Sequence, residues 1–259
     1  ASRPSDCEPG TLRFNTDIGS LEVFRGKTIG WEQIQRRQTS TVAARGLYAL
    51  GYISPAFLYV LDFFEISTTG NAKDFGDLTT TKAFVAAAGS KTRAVFSRSY
   101  NGSGNNVMDF VEIATQGNAL DFGDATVTSH SPAGCGDSTR GLFGGGAATD
   151  NTLEFFTFDS TGNATDFGNL YSRRDMGACS NSTRGVFAGG DPATDTMHYV
   201  TIQSLGDGID FGDISSSRYG LTGSSSSTRG IYAGGTPVVN TIEFITIATL
   251  GDTTDFGDL

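Results

Sequence analysis

Short apolar runs alternate with turn residues along most of the chain. The stretch 173–216 contains four such runs, at 176–180, 183–188, 196–203 and 209–214. Turn residues separate the runs, for example Gly-Gly-Asp-Pro at 189–192 and Leu-Gly-Asp-Gly at 205–208. Glycine and proline supply the positive or fixed φ angles of tight turns. The pattern therefore predicts four antiparallel strands in this stretch.

Two short motifs recur five times, in phase with each other. The triplet Asp-Phe-Gly starts at successive spacings of 47, 45, 44 and 45 residues, at Asp74, Asp121, Asp166, Asp210 and Asp255. The second motif, usually Thr-Arg-Gly, has its arginine at Arg45, Arg93, Arg140, Arg184 and Arg229. A constant period of this size is the signature of a repeat architecture. The chain therefore contains five copies of one supersecondary unit.

Four antiparallel strands per unit at this period are typical of propeller blades. The run 240–247 places apolar side chains on both faces of its strand, as a sheet covered on both sides requires. We predict an all-β fold, a five-bladed β-propeller at 39–259 preceded by an N-terminal β-hairpin segment at 1–38. The blades are predicted at about 39–80, 81–127, 128–172, 173–216 and 217–259.

The repeated positions have predicted structural roles. The motif phenylalanines should lie between blades, at Phe75, Phe122, Phe167, Phe211 and Phe256. The motif arginines and aspartates should form hydrogen-bonded pairs within or between blades rather than a ring of ligands. Small residues five positions before each arginine should line the axis, at Ser40, Ala88, Cys135, Cys179 and Ser224. The last two cysteines are then packing residues.

The order of strands in each unit resembles the kelch repeat. Residues 177–179, 186–190, 198–199 and 210–212 follow its order of a small strand, an aliphatic strand ending in Gly-Gly, an aromatic strand and a short last strand. Phenylalanine stands where that family has tryptophan, and the first two units lack Gly-Gly. The resemblance implies a kelch-like propeller.

A second resemblance concerns the source of such repeats. Asn-Ala-Thr-Asp-Phe-Gly and Ser-Thr-Arg-Gly resemble repeats in virion proteins of marine tailed phages, especially those that infect cyanobacteria, over about 39–259. The leader at 10–26, followed by Trp31, resembles a β-hairpin module of phage fibre and decoration proteins. The resemblance implies a virion structural protein that is made in the host cytoplasm and is present in many copies.

The leader also predicts a hairpin from its own residues, since apolar positions flank the turn Asn-Thr-Asp-Ile-Gly at 15–19. A two-stranded ribbon is marginal in water. Residues 1–38 should therefore dock on the propeller, on a partner subunit or on the particle. Phe24 and Trp31, expected to be exposed, are the candidate anchoring contacts with other virion proteins. Alternatively, both cap the propeller.

Composition and charge exclude several classes of function. The net charge of −10 disfavours nucleic acid and anionic membranes. No stretch approaches the roughly 20 apolar residues of a membrane-spanning helix, and residues 1–10 lack a secretory signal. Three cysteines do not suggest a disulfide framework or a zinc site with four ligands. We expect no nucleic acid, no membrane insertion and no cofactor.

Catalytic signatures are lacking. The only histidines are His130 and His198, and His198 occupies a repeat position that is otherwise acidic. No nucleophile elbow, Walker loop or zinc-protease helix is present. Asp207, Asp210 and Asp213 lack the order of a calcium loop, although calcium remains an alternative. We predict no enzyme and no metal site.

The predicted function is a non-enzymatic virion structural protein that decorates the capsid, tail or fibre. The alternative is a lectin-like adhesin for host-surface glycans, with a glycan-degrading enzyme as a distant third. A glycan site should collect aromatic residues from non-repeating loops. Tyr52, Tyr100, Tyr171 and Tyr219 are scattered along the sequence, which favours the structural role unless the fold brings two of them together.

Overall fold

The chain contains two compact units, residues 1–43 and 44–259. The computed structural model describes residues 4, 6–15, 20–33, 44–49, 51–147 and 150–259. Every regular element in these ranges is a β-strand, so the predicted all-β class is confirmed. The predicted boundary between residues 38 and 39 lies outside the described residues.

The first unit contains one antiparallel sheet of three strands, β1 (Leu12–Asn15), β2 (Ser20–Phe24) and β3 (Trp31–Gln33), in the order β1-β2-β3. Strands β1 and β2 form the predicted hairpin, with Leu12 opposite Val23 and Phe14 opposite Leu21. The turn between them lies outside the described residues. The third strand was not predicted.

The second unit contains five four-stranded antiparallel sheets in chain order, here called sheets 1 to 5. Sheet 1 contains β4 (Arg45–Ala49), β5 (Tyr52–Ile53), β6 (Ala56–Glu65) and β7 (Lys73–Lys82). Sheet 2 contains β8 (Ala86–Gly89), β9 (Arg93–Ser97), β10 (Asn105–Glu112) and β11 (Leu120–Ser129). Sheet 3 contains β12 (Ala133–Gly136), β13 (Arg140–Gly144), β14 (Thr152–Thr157) and β15 (Thr165–Asn169). Sheet 4 contains β16 (Gly177–Ser180), β17 (Arg184–Ala188), β18 (Thr194–Thr201) and β19 (Ile209–Arg218). Sheet 5 contains β20 (Thr222–Ser225), β21 (Arg229–Ala233), β22 (Thr241–Thr246) and β23 (Thr254–Asp258).

Sheets 2 to 5 have their strands in sequential order, so four strands per repeat is confirmed there. Sheet 1 differs because β5 pairs with the beginning of β6, which also pairs with β4 and β7. The residues before β4, where the first strand of the first repeat was predicted, lie outside the described part of the chain.

A β-bulge explains why Asp-Phe-Gly recurs. In sheet 2, Asp121 is opposite Asp109 and Gly123 is opposite Met108, so Phe122 has no partner on β10. The same register shift occurs in the other four sheets. Gly123 has a φ of 139°, and a Cβ there would lie 2.5 Å from the carbonyl of Gly162 in the next sheet. Glycine is therefore needed both for the bulge and for the close approach.

The motif phenylalanines form the core between successive sheets. Phe122, for example, clusters with Phe156 and Phe158 of sheet 3. Phe75, Phe122, Phe167 and Phe211 are buried, as predicted. The prediction is wrong for Phe256, which is 53% exposed.

The small residues of the first strands also follow the chain order, because β8, β12, β16 and β20 are successive neighbours. Ala88, Cys135 and Cys179 are buried there, whereas Ser224 is exposed. Ser40 lies outside the described residues. Glycines of the next sheet make room for the thiols, since a Cβ at Gly185 would come within 2.8 Å of Cys135 Sγ. This geometry is consistent with the predicted role of Cys135 and Cys179 as packing residues.

Candidate functional site

The motif arginines join each sheet to the next. Arg93 Nη1 donates a hydrogen bond to the carbonyl of Phe158, at 2.7 Å, and its guanidinium lies 4.8 Å from the ring centre of Phe110. Arg140 does the same with Ile202, at 2.8 Å, and Phe155. Arg45 and Arg184 repeat the arrangement.

The predicted pairing of these arginines with the motif aspartates is wrong. Each Nη1 of Arg45, Arg93, Arg140 and Arg184 donates to a backbone carbonyl of the next sheet. Arg93 also pairs with Glu112 of its own sheet, and among the described residues no ion pair joins the motif arginines to the motif aspartates. Arg229 stacks on Phe244 like the others. It has no carbonyl partner within the described ranges, because sheet 5 is the last sheet.

Backbone contacts add to each interface between sheets. The amide of Gly162 donates to the carbonyl of Phe122 at 2.7 Å, and the amide of Ala164 donates to the carbonyl of Asp124 at 2.8 Å. The amide of Asp124 in turn donates to Asn163 Oδ1 at 3.0 Å. The same three bonds recur at the three other junctions between neighbouring sheets.

Buried carboxylates on the third strands are paired with buried cations. Asp109 lies 2.6 Å from Lys82 Nζ, and both side chains are fully buried. Glu154 lies 2.9 Å from Arg98, and Glu243 pairs with Arg218. Removing one partner of such a pair leaves an uncompensated buried charge. These carboxylates are therefore held as structural partners between sheets.

Sheet 4 departs from this arrangement because His198 replaces the acid. The His198 ring lies 4.5 Å from Tyr171 in an edge-to-face contact. Burial lowers the pKa of His198, and the carboxylate of Asp210 opposes that effect. Arg173, which occupies the cation position, donates from Nη1 to the carbonyl of Ser172 and lies over the ring of Tyr171. The next residue, Arg174, hydrogen-bonds to Asp191 with Nε and Nη2, at 2.8 and 2.6 Å.

No group of three or more His, Cys, Asp or Glu side chains in the described ranges is placed to hold a metal ion. Of the residues considered for calcium, Asp207 accepts hydrogen bonds from both the backbone and the side-chain nitrogen of Asn169. Burial raises the pKa of Asp213, and neighbouring aspartates raise it further.

One cluster of aromatic side chains comes from strands β5 and β6 of sheet 1 and from the segments that follow β7, β9 and β11. Phe57 lies 5.1 Å from Tyr52 and 5.7 Å from Tyr100, measured between ring centres. Tyr100 lies 5.0 Å from His130 and 6.4 Å from Phe84. We call these five residues the aromatic patch. Tyr52 and Phe84 are exposed, and the other three are half-buried.

The patch corrects the expectation that the non-repeating aromatics are scattered. Tyr52 and Tyr100 belong to one cluster, whereas the Tyr171 hydroxyl donates to the backbone of sheet 4 and Tyr219 lies between sheets 4 and 5. Sequence reasoning missed Phe57 and Phe84 altogether. Phe84 could have been found, because the equivalent position in the next repeat is a serine.

The candidate anchoring residues lie on one face of the N-terminal sheet. Phe24 is only 3% exposed and packs on Trp31 with 5.4 Å between ring centres, so its predicted exposure is wrong. Trp31 Nε1 donates to the carbonyl of Pro4 at 2.7 Å, and Arg13 lies over the Trp31 ring. Arg13 also pairs with Glu22, whose side chain is fully buried.

The opposite face of this sheet is apolar and exposed. The register places Leu12 and Phe14 on the same face as Leu21, and all three are exposed, Phe14 by 62%. A sheet with one face in water usually turns its polar side chains outward. Here Glu22 is fully buried and its partner Arg13 is half-buried, while the apolar side chains face outward.

The chain matches no protein-family model, and no curated protein matches it either. The described parts of the chain contain no helix that is long and apolar enough to span a membrane. Function is therefore inferred from the repeats and from the geometry of the two units.

Proposed function

We propose that this protein is a non-enzymatic structural protein of a virion, attached to the particle through its N-terminal sheet and present in many copies. The observation that carries the proposal is the exposed apolar face formed by Leu12, Phe14 and Leu21. Contiguous exposed apolar surface marks a site of protein–protein contact. Another virion protein is the partner that the resemblance to tailed-phage proteins favours.

Incorporation into particles tests this proposal. The wild-type protein should be detected in purified particles of the virus that encodes it, and immunogold microscopy should locate it on the capsid, tail or fibre. A variant with Leu12→Thr, Phe14→Thr and Leu21→Thr should fold but be lost from the particles. Leu205→Thr, at an exposed apolar position of the second unit, is the matched control. Absence of the wild-type protein, or normal incorporation of the triple variant, contradicts the proposal.

The five sheets are proposed to be the blades of a five-bladed, kelch-like propeller. Both halves of a fifth interface are present and equivalent to the halves that pair elsewhere. Arg229 and Phe256 of sheet 5 correspond to the donor side, and Ile66, Gly70 and Asn71 of sheet 1 correspond to the acceptor side. Contact between sheets 5 and 1 would bury Phe256, as its four counterparts are buried. The fifth interface would then have the same contacts as the four interfaces between neighbouring sheets.

Crosslinking between Asn71→Cys and Asp258→Cys tests closure in a Cys7→Ser background. The equivalent internal contact joins the amide of Asp77 to Asn118 Oδ1 at 3.1 Å, so Asp77→Cys with Asn118→Cys is the positive control. A short thiol-reactive crosslinker should link both pairs within one chain. Crosslinks between chains, or none at 71 and 258, reject the closed ring.

Binding of host-surface glycans is a second candidate function, favoured by one observation. Tyr52 and Tyr100 come from different repeats and meet in the aromatic patch. Glycan hydrolysis has no comparable support, since Asp109, Glu154 and Glu243 are paired with buried cations.

A further inference from the structure

We propose that the aromatic patch binds a neutral saccharide chain, with Arg174 and Asp175 supplying hydrogen bonds at its edge. The proposal rests on the second candidate function, and it does not depend on the location of the protein in a virion.

The patch uses positions that are equivalent in the backbone but different in their side chains. Ala83 and Tyr100 exchange two backbone hydrogen bonds, of 2.9 and 2.8 Å, across the junction of sheets 1 and 2. At the junction of sheets 4 and 5, the equivalent pair is Tyr219 and Thr236. A residue that supports the scaffold recurs in each repeat. In the part of the chain that the structure describes, the aromatic cluster occurs at one junction, which is expected of a binding site.

Phe84 is the strongest sign that the patch is not simply packing. Its φ is +53°, a left-handed conformation that bulky residues rarely adopt. The backbone is left-handed at the equivalent position of three other repeats as well, at Ser131, Asp175 and Gly220. The conformation therefore belongs to the scaffold, and Phe84 is the one large aromatic side chain among these four positions. Phe84 is also 58% exposed, so burial does not compensate for the backbone strain. Strained residues of this kind cluster at functional sites.

The chemistry of the patch suits the faces of sugar rings. The face of an aromatic ring carries partial negative charge, and the C–H bonds on one face of a pyranose carry partial positive charge. Ligand sites combine such apolar surfaces with a few placed polar groups. Tyr52 and Phe84 offer exposed rings, Tyr52 in contact with Phe57 and Phe84 in contact with Tyr100. The backbone of Tyr100 is fixed by its hydrogen bonds to Ala83.

Polar groups adjoin the patch on the side of His130. The amide of Asp175 donates to the carbonyl of Ser131 at 3.0 Å, which places Asp175 next to His130 in space. Arg174 is positioned by two hydrogen bonds to Asp191, and among the described residues its Nη1 has no hydrogen-bond partner. Arg174 Nη1 and the Asp175 carboxylate can therefore donate to and accept from sugar hydroxyls.

Local charge favours a neutral saccharide over an anionic ligand. Arg174 is balanced by Asp191 and Asp175, which lie 2.6 and 3.6 Å from its nitrogens. Burial, assisted by Arg174, lowers the pKa of His130, although Asp175 opposes the effect; the imidazole is therefore neutral at pH 7. The net charge of −10 further opposes phosphorylated or sulfated ligands and nucleic acid.

Affinity electrophoresis of the full chain tests the proposal with defined probes. Laminarin, dextran, mannan and galactan are the neutral probes, and heparin and single-stranded DNA are the anionic ones. At least one neutral polysaccharide should retard the protein, and Tyr52→Ser should weaken that retardation about tenfold or more. Failure of all four neutral probes, or stronger retardation by an anionic probe, overturns the proposal.

Phe84→Gly separates binding from folding. The change relieves the left-handed strain, so the melting temperature should stay the same or rise while retardation is lost. Tyr48→Ser, which alters an exposed tyrosine stacked on Phe64 outside the patch, should bind normally. Normal binding by Phe84→Gly, or equal loss in Tyr48→Ser, rejects the site. If the wild-type chain binds none of the neutral polysaccharides but is incorporated normally into particles, this proposal alone fails and the virion role stands.

Discussion

Replacing Phe122 with alanine should destabilise the second unit by about 4 kcal/mol. Phe122 is 2% exposed, and its ring centre lies 5.8 Å from Phe110 in its own sheet and 5.3 Å from Phe156 in the next. Truncating a buried phenylalanine to alanine costs about 3–5 kcal/mol, since the lost burial and the cavity add together. Each edge-to-face contact contributes about 0.5–1.5 kcal/mol beyond burial, which keeps the estimate at the middle of that range rather than at its lower end.

Thermal unfolding followed by far-ultraviolet circular dichroism should measure this loss. Fluorescence is unsuitable, because the only tryptophan, Trp31, belongs to the first unit. For a unit of this size, 1 kcal/mol shifts the melting temperature by about 2–4 °C, so Phe122→Ala should lower it by about 8–16 °C.

The matched control is Leu120→Ala, two residues earlier on β11. Leu120 is 63% exposed, and surface substitutions usually change stability by less than about 0.5 kcal/mol. If the two variants differ by less than about 1 kcal/mol, Phe122 is not covered by sheet 3 and the stacking of sheets described above is incorrect.

Three further outcomes are expected. In the native state only Cys7 should react rapidly with a thiol reagent at pH 8, because burial raises the pKa of Cys135 and raises that of Cys179 to about 11; two or more fast thiols contradict this packing. Arg140→Met should lower the free energy of unfolding by about 1–3 kcal/mol, measured by urea titration, and an unchanged midpoint would exclude the contact with Ile202. Burial lowers the pKa of His198 in the folded protein, so the unfolded state binds a proton on this side chain more tightly. The free energy of unfolding should therefore fall as the pH drops below about 6.5, and the fall should be smaller in His198→Gln. Identical pH profiles of the two proteins would show that His198 does not contribute to this loss of stability.

The repeat motifs were sufficient to predict the strands, because each motif coincides with a feature of the backbone. Asp-Phe-Gly is the bulge of the fourth strand, where Gly123 must have a positive φ and must lack a Cβ. Thr-Arg-Gly begins the second strand, as at Arg140. Few residue types are tolerated at these backbone positions, so the spacing of the motifs identifies the second and fourth strands of each repeat.

The partners of the repeated residues could not be predicted in the same way. Arg140 donates a hydrogen bond to the carbonyl of Ile202. Every residue has a backbone carbonyl, so the residue type at 202 does not indicate that it accepts this bond. Phe256 has the same motif as Phe122 but differs in exposure, because coverage depends on the next sheet and not on the motif. Equivalent sequences therefore predicted equivalent environments, which was wrong at Phe256.

The sequence also did not predict the exposed apolar face of the N-terminal sheet or the aromatic patch, the two surfaces on which the proposals rest. In the N-terminal sheet, alternation identified two faces but not their direction, and we expected Phe24 rather than Phe14 to be exposed. In the aromatic patch, Tyr52, Phe84 and His130 come from three different repeats and meet only through the stacking of sheets. What did mark the patch was a departure from the repeat at Phe84.

The backbone hydrogen bonds between sheets determine which surface residues can be substituted without loss of the fold. The bonds from Gly162 to Phe122 and from Ala164 to Asp124 join main-chain atoms at the fourth strands. They are distant in sequence from the loop that connects β21 to β22, where the side chain of Val238 is almost fully exposed. Within that loop, Thr236 exchanges backbone hydrogen bonds with Tyr219 of the preceding sheet. Libraries that vary the loop around Val238 and leave Thr236 unchanged should therefore give folded proteins, and new specificities can be selected without redesigning the scaffold.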